Sequence, residues 1–236
     1  MVLEAAEMKR IVAEAAVDQY VKDGMNVGLG TGSTAYYAIR RIGQLVNENG
    51  YRLKCVATSV QSEELARGWG IDVLDLDEVD KLDITIDGAD EIDPKMNLVK
   101  GLGGALLREK IVAAATVSEI IVADDSKLVE KLGTKAPLPV EVLRFGHQHT
   151  SHALKRQGCE PVLRMKDGKP FVTDGGNYIY DCRFPNGIEN PFFIESRIDV
   201  TPGVVENGLF LNTAFEALVC DPEGNLTRVS ETVKRD

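Results

Sequence analysis

A glycine-rich segment near the N-terminus combines a flexible backbone with hydroxyl side chains. The segment GLGTGST, residues 28–34, follows a short apolar run and precedes a pattern typical of a helix. Unpaired N–H groups at the start of a helix attract anions, and glycines let an anion approach closely. Thr31, Ser33 and Thr34 add hydroxyl donors around Gly32. The segment predicts a monophosphate or carboxylate site, with a tight turn whose hydroxyls cap the helix as the alternative.

Two well-known nucleotide-binding patterns do not fit this segment. Ser33 stands where a dinucleotide fingerprint has its third glycine. The next strand-like run, YRLKCVATS, ends without the acid that would bind a ribose. No lysine precedes the Ser33–Thr34 pair, which excludes a loop that binds nucleoside triphosphates.

A cluster of acids follows another apolar run. The motif DGADEID begins with Asp87, Gly88, Ala89 and Asp90, directly after the strand-like LDITI. In open α/β sheets, ligands bind at the carboxyl ends of the strands. Carboxylates at that edge could hold sugar hydroxyls, move protons or bind a divalent cation. Because the surrounding chain is rich in acids, a solvated acidic loop is the alternative.

A second glycine turn, KGLGGALLREK, begins at residue 100 and leads into a predicted helix. N–H groups around Gly101, Leu102, Gly103 and Gly104 could stabilise an oxyanion, and Lys100 could supply positive charge. Glu109 is expected one to two turns inside the helix, as a candidate base. The alternative is an ordinary solvated helix face.

A lysine and three histidines are weaker candidates. Lys127 lies just beyond the strand-like IIVADD, where it could reach a phosphate or sugar oxygen, although a lone lysine there is also typical of a surface. His147, His149 and His152 occur in the stretch HQHTSH. This stretch is predicted to be a loop that runs into a polar helix, which favours solvent-facing histidines over a metal site.

The elements that must position these residues alternate along the chain. Strand-like apolar runs alternate with helical patterns as far as about residue 131, which predicts a parallel sheet covered on both faces. Beyond that point, short strands separated by Asp-Gly and Gly-Gly turns predict an antiparallel α+β module. We therefore expect an α/β fold, with one domain over residues 1–131 and 208–236 and a smaller domain over 132–207.

Composition restricts the class of partner. The chain has 236 residues and a formal net charge of −10, so its surface repels nucleic-acid phosphates and anionic lipids. The four cysteines form no Cys-x-x-Cys pair, and no apolar run approaches the length of a membrane helix. These observations predict a cytoplasmic protein that binds a small molecule, with no nucleic acid or membrane as partner.

Taken in order, the motifs GLGTGST, DGADEID, KGLGGALLREK and ADDSK resemble those of type A ribose-5-phosphate isomerases. The stretches LPVEVL, VTDGGN and TPGVVENGLF extend the resemblance over essentially the whole chain. It implies interconversion of D-ribose 5-phosphate and D-ribulose 5-phosphate in the non-oxidative pentose phosphate pathway, without a metal or an organic cofactor. It also implies a Rossmann-like domain with a small α+β domain, and a homodimer or tetramer.

The resemblance also implies a role for individual residues. The general base falls on Glu109, ring opening and hydroxyl holding fall on Asp87 and Asp90, and Lys100 lies beside the reacting oxygens. Lys127 matches a further ligand-binding lysine. The substrate-binding loops correspond to Thr31–Thr34, Asp87–Asp90 and Lys100–Gly103.

Three other functions stay open at this point. The chain could be a non-catalytic sensor of sugar phosphates, since related folds serve as effector-binding domains. It could be an acyl-CoA transferase of similar architecture with Glu109 as nucleophile. It could also be an isomerase that moves a hydride with the help of a metal bound by the DGADEID acids.

Overall fold

The computed structural model describes residues 3–230 and forms two compact units, each with its own hydrophobic core. The first unit contains the chain through Ala89, then Arg108–Lys127, and then the chain from Thr213 onward. The second unit contains Asp90–Leu107 and Leu128–Asn212.

Helices and strands alternate in the first half of the chain, and short strands dominate the second half. The helices are α1 (Ala5–Tyr20), α2 (Ala35–Asn49), α3 (Val60–Gly68), α4 (Leu106–Ala114), α5 (His147–Lys155) and α6 (Pro191–Asp199), with short 3₁₀ turns at Leu76–Glu78 and Asp125–Lys127. The strands are β1 (Asn26–Leu29), β2 (Lys54–Ala57), β3 (Leu82–Asp87), β4 (Glu91–Ile92), β5 (Leu98–Val99), β6 (Thr116–Asp124), β7 (Leu138–Val142), β8 (Glu160–Leu163), β9 (Met165–Lys166), β10 (Lys169–Pro170), β11 (Tyr178–Arg183), β12 (Val204–Asn207), β13 (Leu209–Phe210), β14 (Ala214–Cys220) and β15 (Leu226–Val229). Within residues 3–230, every helix is too short or too polar to cross a membrane.

The first unit is built on a six-stranded sheet in the order β15-β14-β6-β3-β1-β2. Neighbouring strands are parallel, except that β15 runs antiparallel to β14. Ile120, Ile121 and Val122 of β6 are all buried, as expected for a central strand covered on both faces. The parallel sheet confirms the predicted α/β class.

Strands β1 and β3 approach each other closely at Gly28. Gly28 pairs with Thr85, and a Cβ at Gly28 would lie only 2.0 Å from Thr85 Oγ1. Thr85 Oγ1 is also 2.7 Å from Thr116 Oγ1, so the hydroxyl is held in place from the other side. The first glycine of the GLGTGST motif is therefore required by the packing of the sheet.

The second unit is an antiparallel α+β module, as predicted. Its four-stranded sheet has the order β12-β7-β11-β8, and a three-stranded sheet has the order β13-β5-β4. The hairpin of β9 and β10 turns through Asp167 and Gly168, which have φ angles of 51° and 76°. Positive φ at both residues is what an Asp-Gly hairpin turn favours.

The extent of the second unit differs from the predicted small domain of residues 132–207. The unit begins at Leu128, ends at Asn212 and also includes residues 90–107. The reason is strand pairing over a long sequence distance, because β5 pairs with β13, and β4 pairs with β5. The local sequence pattern of residues 90–107 does not reveal these pairings.

We expect Gly28→Ala to lower the free energy of unfolding by about 1–3 kcal/mol, because a methyl group must displace Thr85 or separate two paired strands. Gly68→Ala is the matched control, because a Cβ there meets no atom within 4 Å. Alanine should favour helix α3 at that position by up to about 1 kcal/mol. Urea unfolding measures both changes, and equal stability of the two variants would contradict the close approach at Gly28.

Candidate active site

Polar residues collect at the carboxyl edge of the six-stranded sheet. The parallel strands β1, β3 and β6 end there at Leu29, Asp87 and Asp124. Strand β2 lies on one side of β1 and β3 lies on the other. The order in which the chain adds parallel strands to the sheet therefore reverses between β1 and β3, which makes this position the topological switch point. Open α/β sheets bind ligands at such a point. The loop of residues 30–34 and Asp87 both lie at this switch point.

The Asp87 carboxylate connects the acid motif to the first glycine loop. Its Oδ1 accepts hydrogen bonds from Thr31 N at 3.0 Å and from Gly88 N at 2.7 Å, and its side chain is buried. A Cβ at Gly30 would lie 2.2 Å from the same oxygen. The glycine therefore allows the carboxylate to approach the loop, and the hydrogen bonds hold it there.

The Thr31 hydroxyl belongs to a cluster of hydroxyl groups beyond the end of β2. Thr31 Oγ1 lies 2.7 Å from Thr58 Oγ1, 2.8 Å from Ser59 Oγ and 3.2 Å from Ser62 Oγ. Thr31 thus uses its hydroxyl and its N–H to hold the loop. Sequence analysis did not include these three partners in the predicted site. A signal for Ser59 was available, because a serine before a helix is typical of an N-cap, and Ser59 Oγ accepts a hydrogen bond from Ser62 N at the start of α3.

Ser33 and Thr34 do not serve as helix caps. Helix α2 begins at Ala35, with Thr34 in the N-cap position, and no side chain accepts a capping hydrogen bond there. Ser33 is exposed, and its Oγ accepts from Lys9 Nζ at 3.0 Å. The capping alternative therefore fails for Ser33 and Thr34. Lys9, from helix α1, adds a positive charge that sequence analysis missed because 24 positions separate it from Ser33.

Glu109 lies closer to the start of its helix than predicted. Helix α4 begins at Leu106, which places Glu109 in the first turn rather than one to two turns inside. The preceding glycine turn, closed by a 3.0 Å hydrogen bond from Gly104 N to Gly101 O, delays the start of the helix. The Glu109 side chain is 4% exposed.

At the end of β6, the half-buried Lys127 completes the short 3₁₀ turn.

In the second unit, Asp90 is joined to the second glycine loop. Its Oδ2 accepts a hydrogen bond from Leu102 N at 2.9 Å, and its backbone N donates to Val99 O at 2.8 Å. Leu102 and Gly103 are exposed, whereas Gly101 and Gly104 are buried. The structure thus brings together two motifs that are separate in the sequence.

Lys100 is an almost completely buried lysine. Its side chain is 1% exposed, and its Nζ lies 5.3 Å from the centre of the Phe210 ring. Its backbone N donates to Gly208 O at 2.9 Å. A Cβ at Gly208 would lie 2.3 Å from Lys100 O, so a glycine is needed where β13 meets this segment. Burying an ammonium group is costly, which is typical of a residue kept for chemistry.

Glu91, next to Asp90, has a structural task. Its side chain is fully buried and accepts hydrogen bonds from three backbone N–H groups, those of Gly133 at 2.5 Å, Lys135 at 2.5 Å and Ala136 at 2.8 Å. The acid motif therefore contains carboxylates of different kinds. Glu91 holds the segment that follows Leu132, whereas Asp87 and Asp90 hold the two glycine loops.

The HQHTSH stretch lies within helix α5, which begins at His147 rather than after a loop. His147 Nδ1 lies 2.8 Å from Tyr180 Oη, and His149 and His152 are at the helix surface. In the part of the chain that the structure describes, no three His, Cys, Asp or Glu side chains are grouped as metal ligands.

The predicted site residues divide between the two units. Those in the first unit are Thr31, Gly32, Ser33, Thr34, Asp87, Gly88, Ala89, Glu109 and Lys127. Those in the second unit are Asp90, Lys100, Gly101, Leu102 and Gly103. Each unit therefore contains at least one predicted carboxylate, one predicted lysine and one glycine loop.

We expect Glu91→Gln to lower the free energy of unfolding by about 2–3 kcal/mol, because a neutral amide cannot accept all three buried N–H groups. Glu130→Gln is the control, since Glu130 is an exposed glutamate of the same unit. Chemical unfolding of both variants measures the difference. Identical unfolding midpoints would contradict the structural task of Glu91.

Comparison with known proteins identifies one family. The family model of ribose 5-phosphate isomerase A (phosphoriboisomerase A) matches residues 54–224. A ribose-5-phosphate isomerase A of Bacillus mycoides (strain KBAB4) is 48% identical over 217 residues, which cover 92% of this chain and 97% of the relative. A protein of the same name from Gloeobacter violaceus is 50% identical over 218 residues, covering 92% and 94%.

Solved structures give the same result. The ribose 5-phosphate isomerase from Plasmodium falciparum has a TM-score of 0.94 and 39% identity, covering 97% of this chain and 100% of that chain. The ribose 5-phosphate isomerase A of Methanocaldococcus jannaschii has a TM-score of 0.90 and 39% identity, covering 95% and 98%. Because sequence and structure agree over nearly the whole length, the chain belongs to the ribose 5-phosphate isomerase A family.

Proposed function

We propose that this chain interconverts D-ribose 5-phosphate and D-ribulose 5-phosphate through an enediolate intermediate, with Glu109 as the base. The observation that carries the proposal is the family membership, which extends over more than nine-tenths of the chain. That membership favours neither a non-catalytic sensor nor an acyl-CoA transferase. The position of the glycine loop and Asp87 at the switch point of the sheet is independent physical support.

The reaction explains why a buried carboxylate is needed. Moving the carbonyl from carbon 1 to carbon 2 requires removal of the proton on carbon 2 and return of a proton to carbon 1. One carboxylate can perform both transfers, and we assign them to Glu109, which is 4% exposed. A positioned base contributes about 10²- to 10⁴-fold, so other groups must stabilise the enediolate.

Positive charge and N–H groups supply that stabilisation. One oxyanion donor is typically worth about 3–4 kcal/mol, comparable to the contribution of the base. We assign the donors to Lys100 and to the N–H groups of Gly101 and Gly103, since the N–H of Leu102 donates to Asp90 Oδ2. Proton transfer and charge stabilisation would together provide the catalysis, and neither step requires a metal or an organic cofactor.

The remaining residues prepare and hold the substrate. Asp87 is the proposed group for opening the furanose ring, and Asp90 orients hydroxyl groups. The phosphate, which carries about −1.5 to −2 charges, would bind at the start of α2, with Ser33, Thr34 and Lys127 as donors. Local donors must outweigh the net charge of −10. Ionic screening restricts that repulsion to roughly 8–10 Å, which makes the local donors decisive.

Assembly and location belong to the same proposal. We expect a homodimer or a tetramer that acts in the cytoplasm on the small-molecule sugar phosphate, without nucleic acid or membrane as partner. The family resemblance supports the oligomer. The acidic composition disfavours nucleic acid and membranes as partners, and the spacing of the four cysteines fits a reducing cytoplasm.

We expect Glu109→Gln to lower kcat at least about 10²-fold while ribose 5-phosphate still binds, because the carboxylate acts mainly in the transition state. The assay follows ribose 5-phosphate in D₂O with EDTA, and NMR detects deuterium at carbon 1. The native protein should incorporate deuterium and the variant should not. Glu48→Gln, at an exposed position of α2, is the control and should behave as the native protein.

Two results of this assay would contradict the proposal. Near-normal turnover of Glu109→Gln would remove the assigned base. Turnover that EDTA stops, with no deuterium at carbon 1, would favour a metal-dependent hydride shift.

We expect the double change Ser33→Ala and Thr34→Ala to raise KM for ribose 5-phosphate by about 10- to 100-fold, because two hydrogen bonds to a charged phosphate are lost. Steady-state kinetics measures the effect. Unphosphorylated D-ribose is the matched substrate, since its kcat/KM should stay unchanged. An unaltered KM for the phosphorylated sugar would show that these hydroxyls do not bind phosphate.

A further inference from the structure

We propose that Arg164 is a positioning residue that orients the second glycine loop, residues 100–104, so that the N–H of Gly103 can stabilise the enediolate. The inference rests on the proposed function of that loop. It adds a residue that lies outside the four motifs and far from the loop in sequence.

Arg164 contacts the loop through two backbone carbonyls. Its Nη1 donates to Gly101 O at 3.1 Å and to Leu102 O at 3.0 Å. Arg164 itself is fixed between β8 and β9, because its N donates to Ile179 O at 2.8 Å and its O accepts from Phe171 N at 2.9 Å. The side chain therefore extends from a firmly held backbone to the loop, of which only Leu102 and Gly103 are exposed.

A half-buried carboxylate fixes the direction of the guanidinium group. Asp181 accepts two hydrogen bonds, from Arg164 Nε at 3.0 Å and from Nη2 at 2.5 Å. The two side chains are only 13% and 23% exposed. Asp181 lies in β11, between β7 and β8, so the pair is attached to the centre of the four-stranded sheet. The two-point contact leaves Nη1 directed at the loop.

The carbonyl contacts determine where the N–H groups of the loop point. In a planar trans peptide, the C=O of one residue and the N–H of the next point in opposite directions. Because the carbonyls of Gly101 and Leu102 face Arg164, the N–H groups of Leu102 and Gly103 face away from it. The N–H of Leu102 points away from Arg164 and donates to Asp90 Oδ2. The N–H of the exposed Gly103 is thus presented on the side away from Arg164, and we assign it as an oxyanion donor.

Phe171 supports the other end of the same loop. A Cβ at Gly104 would lie 2.5 Å from Phe171 Cζ, so the ring packs directly on the glycine. The guanidinium carbon of Arg164 lies 5.8 Å from the centre of the Phe171 ring. The loop also has left-handed φ angles at Gly101 and Gly104. Donors held in this way need no rearrangement when negative charge develops, which is the condition for strong stabilisation.

The test compares Arg164→Gln and Arg164→Lys with the native enzyme. We expect Arg164→Gln to lower kcat by about 10- to 100-fold while KM for ribose 5-phosphate changes less than about threefold, because the loss falls on the transition state. Arg164→Lys should not restore kcat, since an ammonium group cannot bind Asp181 at two points and both carbonyls as well. Arg41→Gln is the control, because it breaks another Arg–Asp pair, with Asp18, in the first unit.

Inhibition by phospho-erythronic acid separates positioning from a merely structural role. That compound is bound in a solved ribose 5-phosphate isomerase with a TM-score of 0.92 and 37% identity to this chain. Its carboxylate resembles the two oxygens of the enediolate, so its affinity should fall in Arg164→Gln by about the same factor as kcat. Asp181→Asn, which keeps Arg164 but weakens its support, should show the same pattern to a smaller degree. This second variant tests the inference even if Arg164→Gln folds poorly.

The outcomes distinguish this inference from the proposed function. Native kcat and native inhibitor affinity in both Arg164→Gln and Asp181→Asn would overturn the positioning role. The role would also be overturned if kcat fell only in proportion to the fraction of unfolded protein, while the folded molecules bound the inhibitor with native affinity. Native turnover by Glu109→Gln would instead overturn the assignment of Glu109 as the base, whatever kcat the Arg164 variants have.

Discussion

The contact between the Asp87 carboxylate and the backbone of the first glycine loop determines the arrangement of the first unit's candidate residues. One buried oxygen accepts the N–H groups of Thr31 and Gly88, which joins the end of β1 to the end of β3. The contact requires a glycine at position 30, because a Cβ there would overlap the carboxylate. A loop held this way presents its remaining groups at the switch point of the sheet, where a ligand can reach them.

Within each motif, some residues maintain the fold and their neighbours remain available for chemistry. Thr31 uses its hydroxyl on Thr58, Ser59 and Ser62, whereas the adjacent Ser33 is exposed. Glu91 binds three backbone N–H groups. Neighbouring residues of one motif thus divide the support of the loops and the proposed contacts to a substrate between them.

The second glycine loop is likewise held by side chains that bind its backbone. Asp90 binds the N–H of Leu102 on one side, and Arg164 binds the carbonyls of Gly101 and Leu102 on the other. Asp181, in turn, holds Arg164 at two points. An exposed glycine turn would be mobile without such contacts, and a mobile donor stabilises developing charge poorly. Rigid support from a sheet thus compensates for the flexibility that the glycines require.

The sequence by itself determined the alternation of strands and helices, the α/β class, the family, and the loops that end the strands, because these features depend on local periodicity and on ordered motifs. Only the tertiary structure decided which polar groups meet. Lys9 reaches Ser33 over 24 positions, and Arg164 reaches Gly101 over 63. Pairing of β5 with β13 likewise assigns residues 90–107 to the second unit. Such contacts leave no local pattern, since they arise when distant segments pack against each other.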